Sequence, residues 1–213
     1  MVIRYLAGGS VYDIADLHGV AVSTLHKVVA QVVAAINRTF RIKFPSTHDE
    51  LQRSAVAFAG LSNGVIDGVV GAVDGVIIKI TKPSYNGTQY YSRKGFYGFN
   101  VQAVCDAERR IVYLAISSSG STHDSTAFKA TKLYAKMEAG KLAGKYYLVG
   151  DDAYSSCRQM LCPCSTRGSA ALWAREPRVF QAIRQLVAAG VRNLGSWATP
   201  IVSEDWVAIP LPV

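Results

Sequence analysis

Three aspartates close apolar stretches, and each is followed by a turn or helix signal: Asp74 in GAVDG, Asp124 in GSTHDS and Asp151 in LVGDDAY. Carboxylates gathered from strand ends are what hard cations such as Mg²⁺ or Mn²⁺ require, because these ions take oxygen ligands and keep positions open for water and phosphate. Two such ions about 3.5 to 4 Å apart activate a water and stabilise the leaving oxygen in phosphodiester cleavage. The pattern reads as a divalent-metal site acting on nucleic acid. Asp124 has a second reading as the N-cap of the helix that follows, a role compatible with metal binding. His123 suits a structural hydrogen bond or a contact to phosphate. Asp152 follows Asp151 directly, so on a strand its side chain points the other way and is not expected to be a ligand.

The partner expected from charge is a polyanion. Lys and Arg number 23 against 15 Asp and Glu, a formal net charge of +8 and a pI near 9.4. Basic side chains that neutralise phosphates supply most non-specific affinity for nucleic acid, although a basic surface with no partner is the alternative. Half of the residues are apolar, enough for one core and a small helical satellite in 213 residues. Arg4, Asp13, Asp16 and Lys27 interrupt the first part of the chain, so neither a membrane span nor a signal peptide is expected and the protein reads as intracellular. Cys157, Cys162 and Cys164 are spaced C-x4-C-x-C without the C-x2-C knuckle or a downstream His, which favours free thiols over zinc.

The elements that must position these groups fall into two kinds. Residues 1–44 read as helical. Val11, Ile14, Ala15 and Leu17 keep a helical spacing, Gly19 breaks it, and Ser23 offers an N-cap to a run carrying Leu25, Val28, Val29, Val32, Val33 and Ile36. Helix, short Gly-containing turn, helix is the sequence form of a helix-turn-helix, whose second helix would present Thr24, His26, Lys27 and Gln31 to solvent or to a DNA major groove. An ordinary three-helix packing element is the other reading. Residues 45–68 form a linker: Pro45, a capping segment at Ser46 to Glu50, a short helix to Leu61, then Ser62-Asn63-Gly64.

From residue 69 the pattern changes to β-branched runs. Val69 to Ile80 reads as a buried strand holding Asp74. Phe96 to Cys105 and Arg110 to Ile116 read as hairpin partners turning at Asp106 to Arg109. Thr122 to Glu138 reads as one helix closed by Gly140, and Tyr146 to Val149 as a short buried strand leading to Asp151. Three strands, a helix, then a strand is the order of a ribonuclease H-like mixed sheet, an α/β core over 69–165. Lys79, Lys82, Arg93 and Lys94, interleaved with Tyr85, Tyr90, Tyr91 and Phe96, read as a phosphate-gripping rim or as a solvated hairpin with cross-strand aromatics.

VDG at 73–75, RKGFYGFNVQAVCD at 93–106, GSTHDS at 120–125 and GDDAY at 150–154 occur together and in order. This set resembles the transposases of the PIF/Harbinger group and the nucleases derived from them, over about Arg4 to Leu161. The resemblance implies a ribonuclease H-like catalytic core, a divalent metal cofactor held by Asp74, Asp124 and Asp151, and a helix-turn-helix that holds the double-stranded DNA being cut. It also implies an accessory DNA-binding partner, a homo-oligomer and a place in the nucleus.

One part of the family pattern is missing. The family completes its acidic triad with a Glu on a later helix, in a Val-Glu-Arg-Ala-Phe-Gly-like stretch. The corresponding region here reads LVAAGVRNLGS, and no acidic residue lies between Glu176 and Glu204. Composition shifts at the same place: all 11 tyrosines lie at or before Tyr154 and no lysine follows Lys145, whereas Trp173, Trp197 and Trp206 come afterwards. Gly190-Val191-Arg192 can be encoded so that the next frame spells Ala-Phe-Gly. Residues 166–213 therefore read as a divergent tail translated out of the ancestral frame. Glu176 and Glu204 are the candidate replacements for the missing Glu. Two expectations follow: a two-metal endonuclease or transposase-like enzyme weakened by that loss, or a catalytically dead, transposon-derived DNA-binding protein.

Overall fold

The computed structural model describes residues 1–39, 42–64, 66–140, 142 and 145–162. The divergent tail, with Glu176 and Glu204, and Cys164 lie outside them.

Three helices open the chain: α1 (Val2–Leu6), α2 (Val11–Leu17) and α3 (Val22–Thr39). Their apolar stripes meet in a small core of Tyr5, Ile14, Ala15, Leu25 and Val29. Gly19, at φ +61, ends α2 in the left-handed region that glycine enters without steric cost. The chain then turns through 102° into α3. That angle lies in the range of about 90 to 120° found for helix-turn-helix pairs. Helix α3 starts at Val22 rather than after Ser23, so Ser23 is a first-turn residue and not the cap. Among the described residues no single helix is long and apolar enough to cross a membrane.

Helix α4 (His48–Leu61) is fixed at its start by a reciprocal cap. The Thr47 hydroxyl accepts from Glu50 N–H, and the Glu50 carboxylate accepts from Ser46 and Thr47 N–H and from Lys43. These donors, led by Ser46, hold the Glu50 carboxyl down at about 2.

Among the described residues the sheet is five-stranded in the order β3-β2-β1-β4-β5, built from β1 (Val69–Lys79), β2 (Gly98–Cys105), β3 (Ile111–Ser119), β4 (Tyr147–Val149) and β5 (Met160–Leu161). The first three strands form an antiparallel meander, while β4 joins β1 in parallel and β5 joins β4 in parallel. This is a ribonuclease H-like mixed sheet with β1 at its centre. The β2–β3 turn is fixed by Asp106, which accepts from Glu108 N–H, Arg110 N–H and the Arg110 guanidinium, and Arg109 takes φ +67.

Successive side chains on a strand face opposite ways, and the bulge between Val69 and Gly71 brings Val70 onto the same face as Val73, so β1 feeds two cores. Val70, Val73, Val104 and Leu148 pack with Phe128, Leu133 and Met137 on one face. Val69, Ala72, Ala103, Cys105 and Val149 pack with Phe58 on the other. Burial on both faces explains why six of the eleven residues of β1 are Val or Ile.

The single helix expected over 122–138 is two: α5 (Asp124–Lys129) and α6 (Lys132–Glu138). Thr131 separates them. It is extended, and its hydroxyl accepts from Tyr134 N–H, so the side chain caps α6 in place of continuing α5. The two-residue β5 was also not expected from the sequence, since two residues carry no periodicity.

Candidate active site

Asp74 lies mid-way along β1, opposite Ala103 of β2. Its neighbour across the parallel pairing is set by Ala72 against Val149, and continuing that register by two residues brings Asp74 beside Asp151. Parallel strands lie about 4.8 Å apart, and the Asp151 charge acts on the Asp74 carboxyl. Gly150 faces Val73 and Tyr154. By alternation Asp151 then turns to the face that Asp74 uses. Asp151 Oδ1 accepts from Ala153 N–H at 3.0 Å, which bends the chain out of the sheet directly after it. Asp152 is exposed in that turn.

Asp124 approaches from the other side. It is the first residue of α5, and the cap is His123, whose Nδ1 accepts from Ser125 N–H. The expected N-cap role therefore passes one residue back, and the histidine makes a structural bond. The Asp124 carboxylate rests on the Cα of Gly75, where a side chain would overlap it. Gly75 points to the face opposite that of Asp74. Asp124 thus meets β1 at Gly75, on the face opposite the one that alternation gives Asp74, and among the described residues no group of three His, Cys, Asp or Glu side chains comes close enough to hold a metal ion.

The three are nevertheless in electrostatic reach of one another. The Asp74 carboxyl is pushed up to about 6, first by burial and then by Asp151 and Asp124, against the stabilising Gly75 N–H and Lys94. The oxygen donors of Asp74 and Asp151 suit a hard divalent cation, because Mg²⁺ is commonly held by one or two carboxylates with water and substrate phosphate completing its shell. Two of the thiols are buried, and burial pushes Cys105 up to about 12 and Cys162 up to about 11.

Three buried residues around the site were not singled out from sequence. Asn100 and Gln102 project from β2 toward Asp124, and the Tyr154 hydroxyl donates to Gln102 at 2.7 Å. Burial, followed by the three aspartates, drives the Tyr154 phenol far above its usual range, so it stays a donor. The signal was present as Asn-x-Gln in FNVQAV, two polar residues at a spacing of two inside an otherwise apolar buried strand.

The basic residues separate into two groups. Arg93 reaches the Asp124 carboxylate at 3.7 Å, and Lys94 acts on Asp74. Lys82 lies over the Tyr97 ring at 5.7 Å, and Lys79 is exposed at the end of β1. On α3, Thr24, Lys27 and Gln31 are exposed while His26 is half-buried.

The sequence profile of the family described as DDE superfamily endonuclease matches residues 73–191, more than half of the chain. This chain belongs to that family. Its DDE superfamily endonuclease region covers Asp74, Asp124 and Asp151, and nucleases of the superfamily generally use divalent metals. Among curated proteins, "Putative nuclease HARBI1" of Rattus norvegicus is 27% identical over 161 residues, 75% of this chain and 45% of that protein. Its namesake in Bos taurus is 28% identical over 152 residues, 70% of this chain and 43% of that protein. The human protein of the same name is 27% identical over 152 residues. The chain thus spans less than half the length of these relatives. No solved structure matches it.

Proposed function

We propose that this chain is a transposase-type nuclease that cleaves or joins DNA phosphodiester bonds, with Asp74 and Asp151 holding a Mg²⁺ or Mn²⁺ ion. The observation that supports this reading is the parallel β1–β4 register, which, extended two residues past Ala72 and Val149, leads to Asp74 and Asp151, both within the endonuclease region. When bound, the cation supplies an activated water and stabilises charge on the leaving oxygen. The chain's own part is to orient and to bind. The β1–β4 pairing fixes the two carboxylates, Asp124 adds negative potential from across the sheet, and Lys79, Lys82, Arg93 and Lys94 line the approach for backbone phosphates. Helix α3 grips duplex DNA through Thr24, His26, Lys27 and Gln31, and work on chromosomal DNA places the protein in the nucleus. The resemblance to Harbinger elements supports an accessory DNA-binding protein and a homo-oligomer.

A second reading is favoured by one observation. Among the described residues no third carboxylate joins the pair at metal-binding distance, which suits a DNA-binding protein with an inert ribonuclease H-like part. Incubation of the full chain with supercoiled plasmid and Mn²⁺ separates the two. Nicking by wild type that is lost in both Asp74→Asn and Asp151→Asn establishes the nuclease. DNA binding without nicking establishes the inert protein.

A further inference from the structure

Asp124 is held from behind by side chains whose own partners leave one arrangement open. Thr122 O and the Asp124 carboxylate accept only, so the Asn100 amide nitrogen faces both, at 2.9 and 2.8 Å. Asn100 Oδ1 then faces Gln102, whose Nε2 donates to it at 2.8 Å and to Asp124 Oδ1 at 3.3 Å. Gln102 Oε1 is thereby turned to the Tyr154 hydroxyl, which donates at 2.7 Å. Asn100 is 1% exposed, Gln102 0% and Tyr154 6%, so water does not compete for these bonds. Every amide hydrogen and oxygen in the chain is used, and its direction is fixed from Thr122 to Tyr154.

The consequence falls on the far oxygen. Oδ1 carries two amide donors and lies on Gly75, while Oδ2 turns outward to Arg93, whose side chain is 73% exposed. Arg93 sits in a fixed turn. Ser92 donates to Phe96 O through both its N–H and its hydroxyl, and Gly95, at φ +82, donates back to Ser92 O. The next residue, Lys94, acts on Asp74. The turn therefore carries Arg93, paired with the Asp124 carboxylate, next to Lys94, whose charge acts on Asp74.

We infer that Asp124 is an arginine-positioning carboxylate: backed by Asn100, Gln102 and Tyr154, it holds the Arg93 guanidinium where a DNA backbone phosphate enters the site. The phosphate rests on the nuclease reading above; the buried chain behind Asp124 does not. Tyr154 lies three residues after Asp151, so the same chain ties the Asp151 loop to the Arg93 turn.

Calorimetry with Mn²⁺ and salt-dependent binding of a short DNA duplex test this in wild type, Asp74→Asn, Asp124→Asn, Tyr154→Phe and Arg93→Ala. Asp124→Asn and Tyr154→Phe are expected to keep Mn²⁺ affinity within about twofold, while Asp74→Asn lowers it by about tenfold or more. Arg93→Ala is expected to reduce the salt slope of DNA binding by about 1. Asp124→Asn should lose the same amount although it removes a negative charge, and should add nothing to Arg93→Ala. An Mn²⁺ loss in Asp124→Asn equal to that in Asp74→Asn overturns the inference, as does tighter DNA binding by Asp124→Asn. If wild type binds neither Mn²⁺ nor DNA, the nuclease reading fails, and the side-chain amide protons of Asn100 and Gln102 decide the buried chain. Protection from exchange in wild type and its release in Tyr154→Phe support the chain. Protection unchanged in Tyr154→Phe overturns it.

Discussion

The carboxylate of Asp124 lies directly on the Cα of Gly75, so a methyl group at position 75 would overlap it and come within 2.8 Å of Gln102 Nε2. This contact explains a pairing of motifs that sequence alone leaves separate. The glycine after Asp74 is needed not for a turn, since β1 runs on to Lys79, but to admit an acid carried by another element.

Gly75→Ala is accordingly expected to destabilise the fold by about 1 to 3 kcal/mol, the usual range for overpacking a filled site. Gly60→Ala, in helix α4 with open space around it, is the control and should stabilise by up to about 1 kcal/mol. Urea midpoints of the two variants against wild type check both signs. Equal midpoints for Gly75→Ala and wild type would mean that Asp124 moves aside without cost.

The Asp74 carboxyl gives stability a dependence on pH with a definite sign. Its value in the fold, about 6, lies above the ordinary 3.8, so ionisation opposes folding. The favourable contribution is complete below pH 3.8 and is lost as pH rises through 6. The gap corresponds to about 3 kcal/mol at most. Asp74→Asn should match wild type near pH 4 and exceed it in stability above about pH 6, measured by urea denaturation with chelator present. Saturating Mn²⁺ should then raise wild type more than Asp74→Asn, because a ligand stabilises the state that binds it in proportion to how tightly it binds. A constant difference between the two proteins across this pH range would remove Asp74 as the titrating group.

The order of strands and helices was legible because β1, β2 and α4 carry strong periodic or capping signals. Thr47 and Glu50 form the cap that the sequence suggests, and Asp106 to Arg109 make the expected turn. The break at Thr131 was hidden, since a hydroxyl that caps a new helix resembles one tolerated inside a longer helix. Asp74 could be read as an acid within a buried strand and Asp151 as one just after a strand, but the face each occupies follows from register, and register is a property of two strands together. Asp124 shows the limit most clearly. Its spacing from Asp74 says nothing about the side of the sheet from which it arrives, and Asn100, Gln102 and Tyr154 gain meaning only once that side is known.

The amino-terminal helices carry the DNA-binding half of the proposal, and their exposed face makes it testable apart from catalysis. Lys27 and Gln31 are one helical turn apart on α3, both exposed, while Leu25 and Val29 on the opposite side are buried. Replacing either exposed residue with Ala should leave the unfolding midpoint within about 0.5 kcal/mol, since neither belongs to the small helical core. Their effects on DNA should differ in kind. Lys27→Ala should weaken binding to all duplexes alike and reduce the salt slope by about 1, as expected for loss of a phosphate contact. Gln31→Ala should leave the salt slope unchanged and narrow the difference between a preferred duplex and a scrambled one, as expected for loss of a base-edge contact. Fluorescence anisotropy over a range of salt concentrations measures both quantities in one series. If both variants bind like wild type at every salt concentration, α3 is a packing helix and the DNA contact lies with the basic residues around the aspartates.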